Sequence, residues 1–223
     1  MKIKTLPIRA SVLITIGAFT SNMNAAVLLN GDLDGTPGIS STPTSWNAAT
    51  GTPDLTNPGG ISDAVFRYAN FAPASPNGGT FVIVQTNNTV EGFRQTVTGL
   101  IPGQSYQISF FQSLVALTTI ANPAVPIFTD PSQWRVTFSG SSQLSPLESF
   151  TGLGTQVWTP VTLTGFIATT NSETLNFTSV LPAGSTQSYL GIDGVAIQPI
   201  PEPSVQAILL AGLVALATVR RRI

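Results

Sequence analysis

The 223 residues contain no cysteine and no histidine. Without histidine there can be no Ser-His-Asp triad, no Cys-His dyad and no histidine-bound zinc. Without cysteine there is no disulfide, so a chain in an oxidising space must be held by packing or by a metal. Charge is also scarce: charged residues make up 9% of the chain. Both lysines stand at the extreme N-terminus, Lys2 and Lys4. Between Val27 and Glu202 the cations are Arg67, Arg94 and Arg135, against ten acids, a balance of −7. Such a surface is a poor partner for nucleic acid. No P-loop and no GxGxxG phosphate cradle is present. No amphipathic helix is legible between Val27 and Ile200, and no internal repeat.

The two ends differ from the middle. Lys2, Lys4 and Arg9 precede a short apolar stretch, Ala10 to Phe19, and small residues run on to Ala26. That is the pattern of a secretory signal peptide, assigned to residues 1–26. At the other end Pro201-Glu202-Pro203 is stiff and non-helical, because each proline fixes φ and restricts the residue before it. Val205 to Val219 is apolar apart from Gln206 and Thr218, and Arg220, Arg221 and Arg222 follow. As a helix this run rises roughly 22 Å at about 1.5 Å per residue. That is shorter than the roughly 30 Å of a bilayer core, and the arginine stems would extend it by snorkelling. Arginines after an apolar run hold that end in the cytoplasm.

Pro-Glu-Pro-Ser, an apolar helix and a terminal arginine cluster together resemble the PEP-CTERM sorting signal. The resemblance covers residues 201–223. It implies a bacterium that makes extracellular polysaccharide, export through the inner membrane, transient holding there by the C-terminal helix, and cleavage near Pro201-Glu202-Pro203 by an exosortase-type enzyme. The destination would be the cell surface or the extracellular matrix.

The middle, residues 27–200, has the length of one domain and enough chain to bury a core. Val27 to Leu29 reads as an opening strand, followed by a polar turn at Asn30 to Gly35. Residues 36–57 are rich in loop formers, and Ala64 to Tyr68 reads as a short strand. From Phe81 the pattern sharpens. Phe93, Gln95 and Val97 alternate with Arg94, Thr96 and Thr98; Tyr106, Ile108 and Phe110 alternate with Gln107, Ser109 and Phe111; Trp134, Val136 and Phe138 alternate in turn. Trp158 to Ala168, Thr174 to Val180 and Tyr189 to Gln198 supply the last strands. Period-2 alternation between turns marks half-buried antiparallel strands. Many short strands predict an all-β antiparallel sandwich or jelly roll. It would be flanked by a signal helix and a C-terminal hydrophobic helix.

LLNGDLDG near the start, EGFRQTVTGLIPGQSYQISFF in the centre and GIDGVAI near the end resemble three pieces of the galactose-binding-like jelly rolls, which include many carbohydrate-binding modules. In that family a structural calcium often joins the first strand region to the last. The resemblance puts side-chain ligands at Asp34 and Asp193, with Asp32 as a third. Oxygen donors of this kind suit Ca²⁺; the competing reading is that these aspartates only make Asx turns.

Sugar binding asks for an aromatic face beside groups that hydrogen-bond hydroxyls. Trp46 and Tyr68, in loops among polar residues, are the aromatic candidates, with Arg67, Arg94 and Gln112 as polar partners. Trp134, in phase with Val136 and Phe138, reads as core. Glu91, Glu148 and Glu173 lie among polar residues and read as solvated surface acids rather than a hydrolytic pair. The expectation is therefore a non-enzymatic exported protein associated with exopolysaccharide. The alternatives are a secreted carbohydrate-binding module with a defined glycan and, behind it, a secreted hydrolase.

Overall fold

The computed structural model describes residues 25–68, 73–87 and 89–201. The signal peptide (apart from Ala25 and Ala26), Glu202, Pro203 and Arg220 to Arg222 lie outside the described residues. Pro201 lies at their edge, exposed.

Thirteen strands make up the described region, with no helix among them. They are β1 (Asn47–Thr50), β2 (Asp54–Thr56), β3 (Ile61–Ser62), β4 (Phe66–Tyr68), β5 (Phe81–Thr86), β6 (Gly92–Thr98) and β7 (Ser105–Leu114). They continue with β8 (Leu117–Thr119), β9 (Gln133–Phe138), β10 (Ser141–Leu144), β11 (Thr159–Ile167), β12 (Ser172–Val180) and β13 (Ser188–Pro199). The first sheet runs β1-β6-β12-β9-β10 and the second β11-β7-β13-β5-β2. A small third sheet runs β3-β4-β8. All pairings are antiparallel.

The inward residues of the first two sheets meet in one core. Strand β6 turns Phe93, Gln95 and Val97 inward and Arg94, Thr96 and Thr98 outward, as the alternation requires. Phe93 stacks on Phe177 of β12 with ring centres 5.3 Å apart. Trp134 and Phe110 meet Phe177 edge-on. The chain is thus an all-β sandwich, held without disulfides by aromatic packing.

The third sheet covers the far side of the second. Phe66 and Tyr68 pack on Phe81, Ile83, Val115, Leu117 and Tyr189. This explains why Phe81 to Val84 is apolar throughout: β5 is covered on both faces, so no residue in the run faces water.

Several elements differ from the sequence reading. Val27 to Leu29 forms no strand of its own; Val27 makes a single bridge to Thr98. Residues 36–57, expected as loops, contain the short edge strands β1 and β2. Edge strands of three or four residues are too short to display alternation. Two bulges also shape the molecule. In β11 the register shifts between Leu163 and Phe166. In β13 it shifts between Asp193 and Ala196, where Gly194 takes φ 62°. A left-handed φ of that kind is open to glycine at no steric cost.

Candidate functional site

The bulge in β13 determines where Asp193 points, since an extra residue in one strand re-aims its neighbours. Asp193 is 0% exposed. Its Oδ2 accepts a hydrogen bond from Ser75 Oγ, and its Oδ1 has no partner among the described residues. Burial pushes its pKa up to about 7, and the charges of Asp32 and Asp34 push in the same direction. The three aspartates therefore gather at one end of the sandwich. The first turn is sewn to the bulge by Val195 N–H donating to Gly31 O at 2.8 Å. It is sewn to the segment before β5 by Thr80 N–H donating to Asp34 Oδ1 at 3.2 Å. Asn77 Nδ2 donates to Asp32 Oδ1 at 2.8 Å. The three carboxylates do not converge into a cage; among the described residues no group of three acids is arranged to hold an ion. Asp32 is engaged by Asn77 and Asp34 by Thr80. The one unused buried oxygen here is the Oδ1 of Asp193, an atom type that suits an oxygen-liganded cation, with Asp32 and Asp34 nearby but turned to Asn77 and Thr80.

A second concentration of polar groups lies on the outer face of the first sheet. Asn47, Ala48, Arg94, Gln95, Thr96 and Thr174 line a cleft of about 520 Å³. Asn47 of β1 pairs with Arg94 of β6, and Arg94 with Asn176 of β12. The inward partner, Gln95, is buried and fully used. Its Nε2 donates to Leu29 O and Ser45 O, both at 2.9 Å, and its Oε1 accepts from Leu29 N–H at 2.7 Å. Gln95 thus pins the loop before β1 and sets the cleft wall. Arg94, Thr96 and Thr174 are exposed, and none of their side chains has a hydrogen-bond or ion-pair partner among the described residues.

The other expected sugar contacts do not come together here. Trp46 is 3% exposed and sits in the core, 4.9 Å from the Phe93 ring, with Nε1 donating to Asn30 O at 3.0 Å. Its polar sequence neighbours concealed this, because the loop folds over the sandwich end and inserts the indole. Gln112 is 0% exposed. Its Oε1 accepts from Ser145 Oγ at 2.7 Å, and its Nε2 donates to Pro146 O at 2.9 Å and to Glu148 at 3.2 Å. It is a structural bracket and cannot meet a ligand. Tyr68 is half-buried in β4, edge-on to Tyr189, with its hydroxyl donating to Asp63 Oδ2 at 2.9 Å. Burial and the Asp63 carboxylate raise its pKa. Arg67 is exposed beside a separate cleft of about 220 Å³ lined by Gly59, Gly60, Ile61, Ser62 and Ile120. Arg94 is the one sugar-contact candidate on the first sheet's outer face.

The reading of the glutamates also needs correction. Glu91 and Glu148 are 6% and 8% exposed, not solvated. Glu91 accepts from Gln85 N–H at 2.6 Å and from Thr52 N–H at 3.2 Å, tying β5 to the β1–β2 turn. Glu148 accepts from Gln112 and Thr159. Burial raises both carboxyls. Glu173 is half-exposed and collects donors from Thr169, Thr170 and Ser139, with its pKa lowered to about 2.

No protein-family model matches the chain, and no curated protein matches it in sequence. Solved structures overlap it at low identity. TmCBM61, solved with β-1,4-galactotriose, is 12% identical over 70% of this chain and 90% of its own, with a TM-score of 0.42. The CBM22-1 xylan-binding domain of Paenibacillus barcinonensis Xyn10C is 16% identical over 75% of this chain and 97% of its own, with a TM-score of 0.39. The enzymatically active domain of bacteriophage CBA120 tailspike protein 4 is 15% identical over 70% of this chain, with a TM-score of 0.39, and the chain spans 20% of its length. At these scores the overlaps assign no ligand and no activity to this chain. The sandwich rests on its own strand pairing.

Proposed function

We propose that this protein is exported, sorted to the cell surface or extracellular matrix by its PEP-CTERM-like tail, and binds extracellular polysaccharide without catalysing a reaction. The observation that supports binding is the outer face of the first sheet. Its cleft presents a guanidinium, an amide and hydroxyls that make no hydrogen bonds within the described protein, the groups that exchange hydrogen bonds with sugar hydroxyls. The acids that a hydrolase would need are occupied as structural brackets, Glu91 between β5 and the β1–β2 turn and Glu148 beside Gln112.

We read Asp193 and Asp34, with Asp32 as a third, as the residues that would hold a structural calcium. Bound there, the ion would neutralise the buried Asp193 carboxylate and cross-link the first turn to β13. Arg220 to Arg222 and Pro201 to Pro203 belong to sorting in this reading, with an exosortase-type enzyme and the inner membrane as partners.

Cosedimentation tests the binding. The full chain should pellet with exopolysaccharide purified from the source organism's own matrix, and Arg94→Ser should weaken it. A wild-type chain that stays in the supernatant contradicts the proposal.

A further inference from the structure

We propose that the outer face of the first sheet selects an acidic polysaccharide, with Arg94 and Arg135 each pairing with a carboxylate on a uronate-type chain. The inference rests on the glycan-binding reading and names the class of glycan.

The placement follows from register. Asn176 of β12 lies opposite Arg94 of β6, and Thr178 of β12 lies opposite Arg135 of β9. Both arginines alternate with buried residues, so both point outward and are exposed. They stand on either side of β12, two strands apart and offset by two residues. With strands about 4.8 Å apart and about 3.3 Å per residue, their Cα atoms are separated by roughly 12 Å. Two guanidiniums at that distance fit charges on different sugars of one chain, rather than a single small anion.

Neither guanidinium has an ion pair or hydrogen bond among the described residues, although the domain is acidic overall. No described acid lies on this face. Glu173 of β12 has the inward parity of Leu175 and Phe177, and its carboxylate is capped by Thr169 and Thr170. Acids elsewhere on the molecule oppose a polyanion weakly, because the screening length is about 10 Å at 0.1 M salt. No described aromatic side chain is exposed, so this face offers no stacking platform. Recognition therefore falls to charge and hydrogen bonds. Thr96, Thr174 and Asn47 supply free donors and acceptors beside Arg94, and a guanidinium fork matches a carboxylate geometrically.

Affinity electrophoresis of the full chain tests this, with polygalacturonate as the acidic probe and dextran as the neutral one. Polygalacturonate should retard the protein, high salt should abolish the retardation, and dextran should have no effect. The double variant Arg94→Ser, Arg135→Ser should bind polygalacturonate about tenfold more weakly with an unchanged melting curve. Arg67→Ser, which removes the same charge from the third sheet, should bind as the wild type does. Undiminished binding by the double variant overturns the inference. Equal retardation by dextran also overturns it while leaving glycan binding intact. No retardation by either polymer overturns it too, and only a failed cosedimentation with the native matrix would carry the glycan-binding reading down with it.

Discussion

Arg94 on β6 stands directly opposite Asn176 on β12, and neither its guanidinium nor the Asn176 Oδ1 has a partner within the described protein. A cross-strand pair of this kind would normally be close enough to interact. The Asn176 Oδ1 is shut off from solvent, so the exposed guanidinium of Arg94, unpaired on a face without acids, is the feature that the functional reading is built on. Among the described residues the other buried polar side-chain atoms without a partner are Gln156 Nε2 and Asp193 Oδ1.

Calcium and pH should act together. Asp193, Asp54, Glu91 and Glu148 all have pKa values raised by burial. A raised carboxyl contributes stability that is present below its unfolded value and lost as pH rises through its folded value. For Asp193 that window runs from about 4 to about 7. Metal-free protein should therefore melt a few degrees higher at pH 5 than at pH 8. Calcium should raise the melting temperature more at pH 8, where Asp193 is ionised and free to bind it. A calcium effect that is absent, or equal at both pH values, contradicts the assignment.

Trp46→Phe should separate packing from binding. The substitution keeps most of the buried ring but removes the hydrogen bond to Asn30 O. Stability should fall by about 1 kcal/mol, the net worth of one hydrogen bond, because Asn30 O keeps the Leu33 N–H as a donor. Polysaccharide binding, measured on the folded variant, should not change. A selective loss of binding would return Trp46 to the ligand site.

Gly31→Ala should destabilise the junction between the first turn and β13. A Cβ at Gly31 would overlap the Val195 carbonyl oxygen, and that backbone is held by the Val195–Gly31 hydrogen bond. Overpacking against a fixed backbone costs about 1–3 kcal/mol. Thermal unfolding reads the loss, and a variant as stable as the wild type would show that the junction gives way easily.

Replacing Arg220, Arg221 and Arg222 by serine should disturb sorting. Intact mass of the protein recovered from the cell surface should then show an unprocessed C-terminus, whereas the wild type should lack roughly 20 C-terminal residues, the length of a short apolar span. Normal trimming of the variant would remove the sorting reading.

Much of the fold was legible in the sequence because its long strands alternate. Phe93, Gln95 and Val97 declared their inward face directly, and so did Trp134, Val136 and Phe138. The short edge strands β1, β2 and β10 were not legible, since three or four residues carry no clear period. The candidate site was partly legible. Asp32, Asp34 and Asp193 do gather, but Ser75 and Asn77, which hold two of them, stand in a loop with nothing to single them out. Glu91, Glu148 and Gln112 misled for a related reason. Local polarity suggested water, while their actual neighbours came from distant strands, and such partners have no local signature. Arg135 was read only as a charge, because its relation to Arg94 exists only once β12 lies between them.

The central claim is that polysaccharide meets the outer face of the first sheet. The most direct measurement is an NMR titration of the protein with its native exopolysaccharide, following the arginine Nε signals. The account predicts that Arg94 and Arg135 shift while Arg67 does not, together with amide shifts at Asn47, Thr96 and Thr174. Shifts centred on Arg67, or on the segment around Asp34 and Asn77, would contradict it.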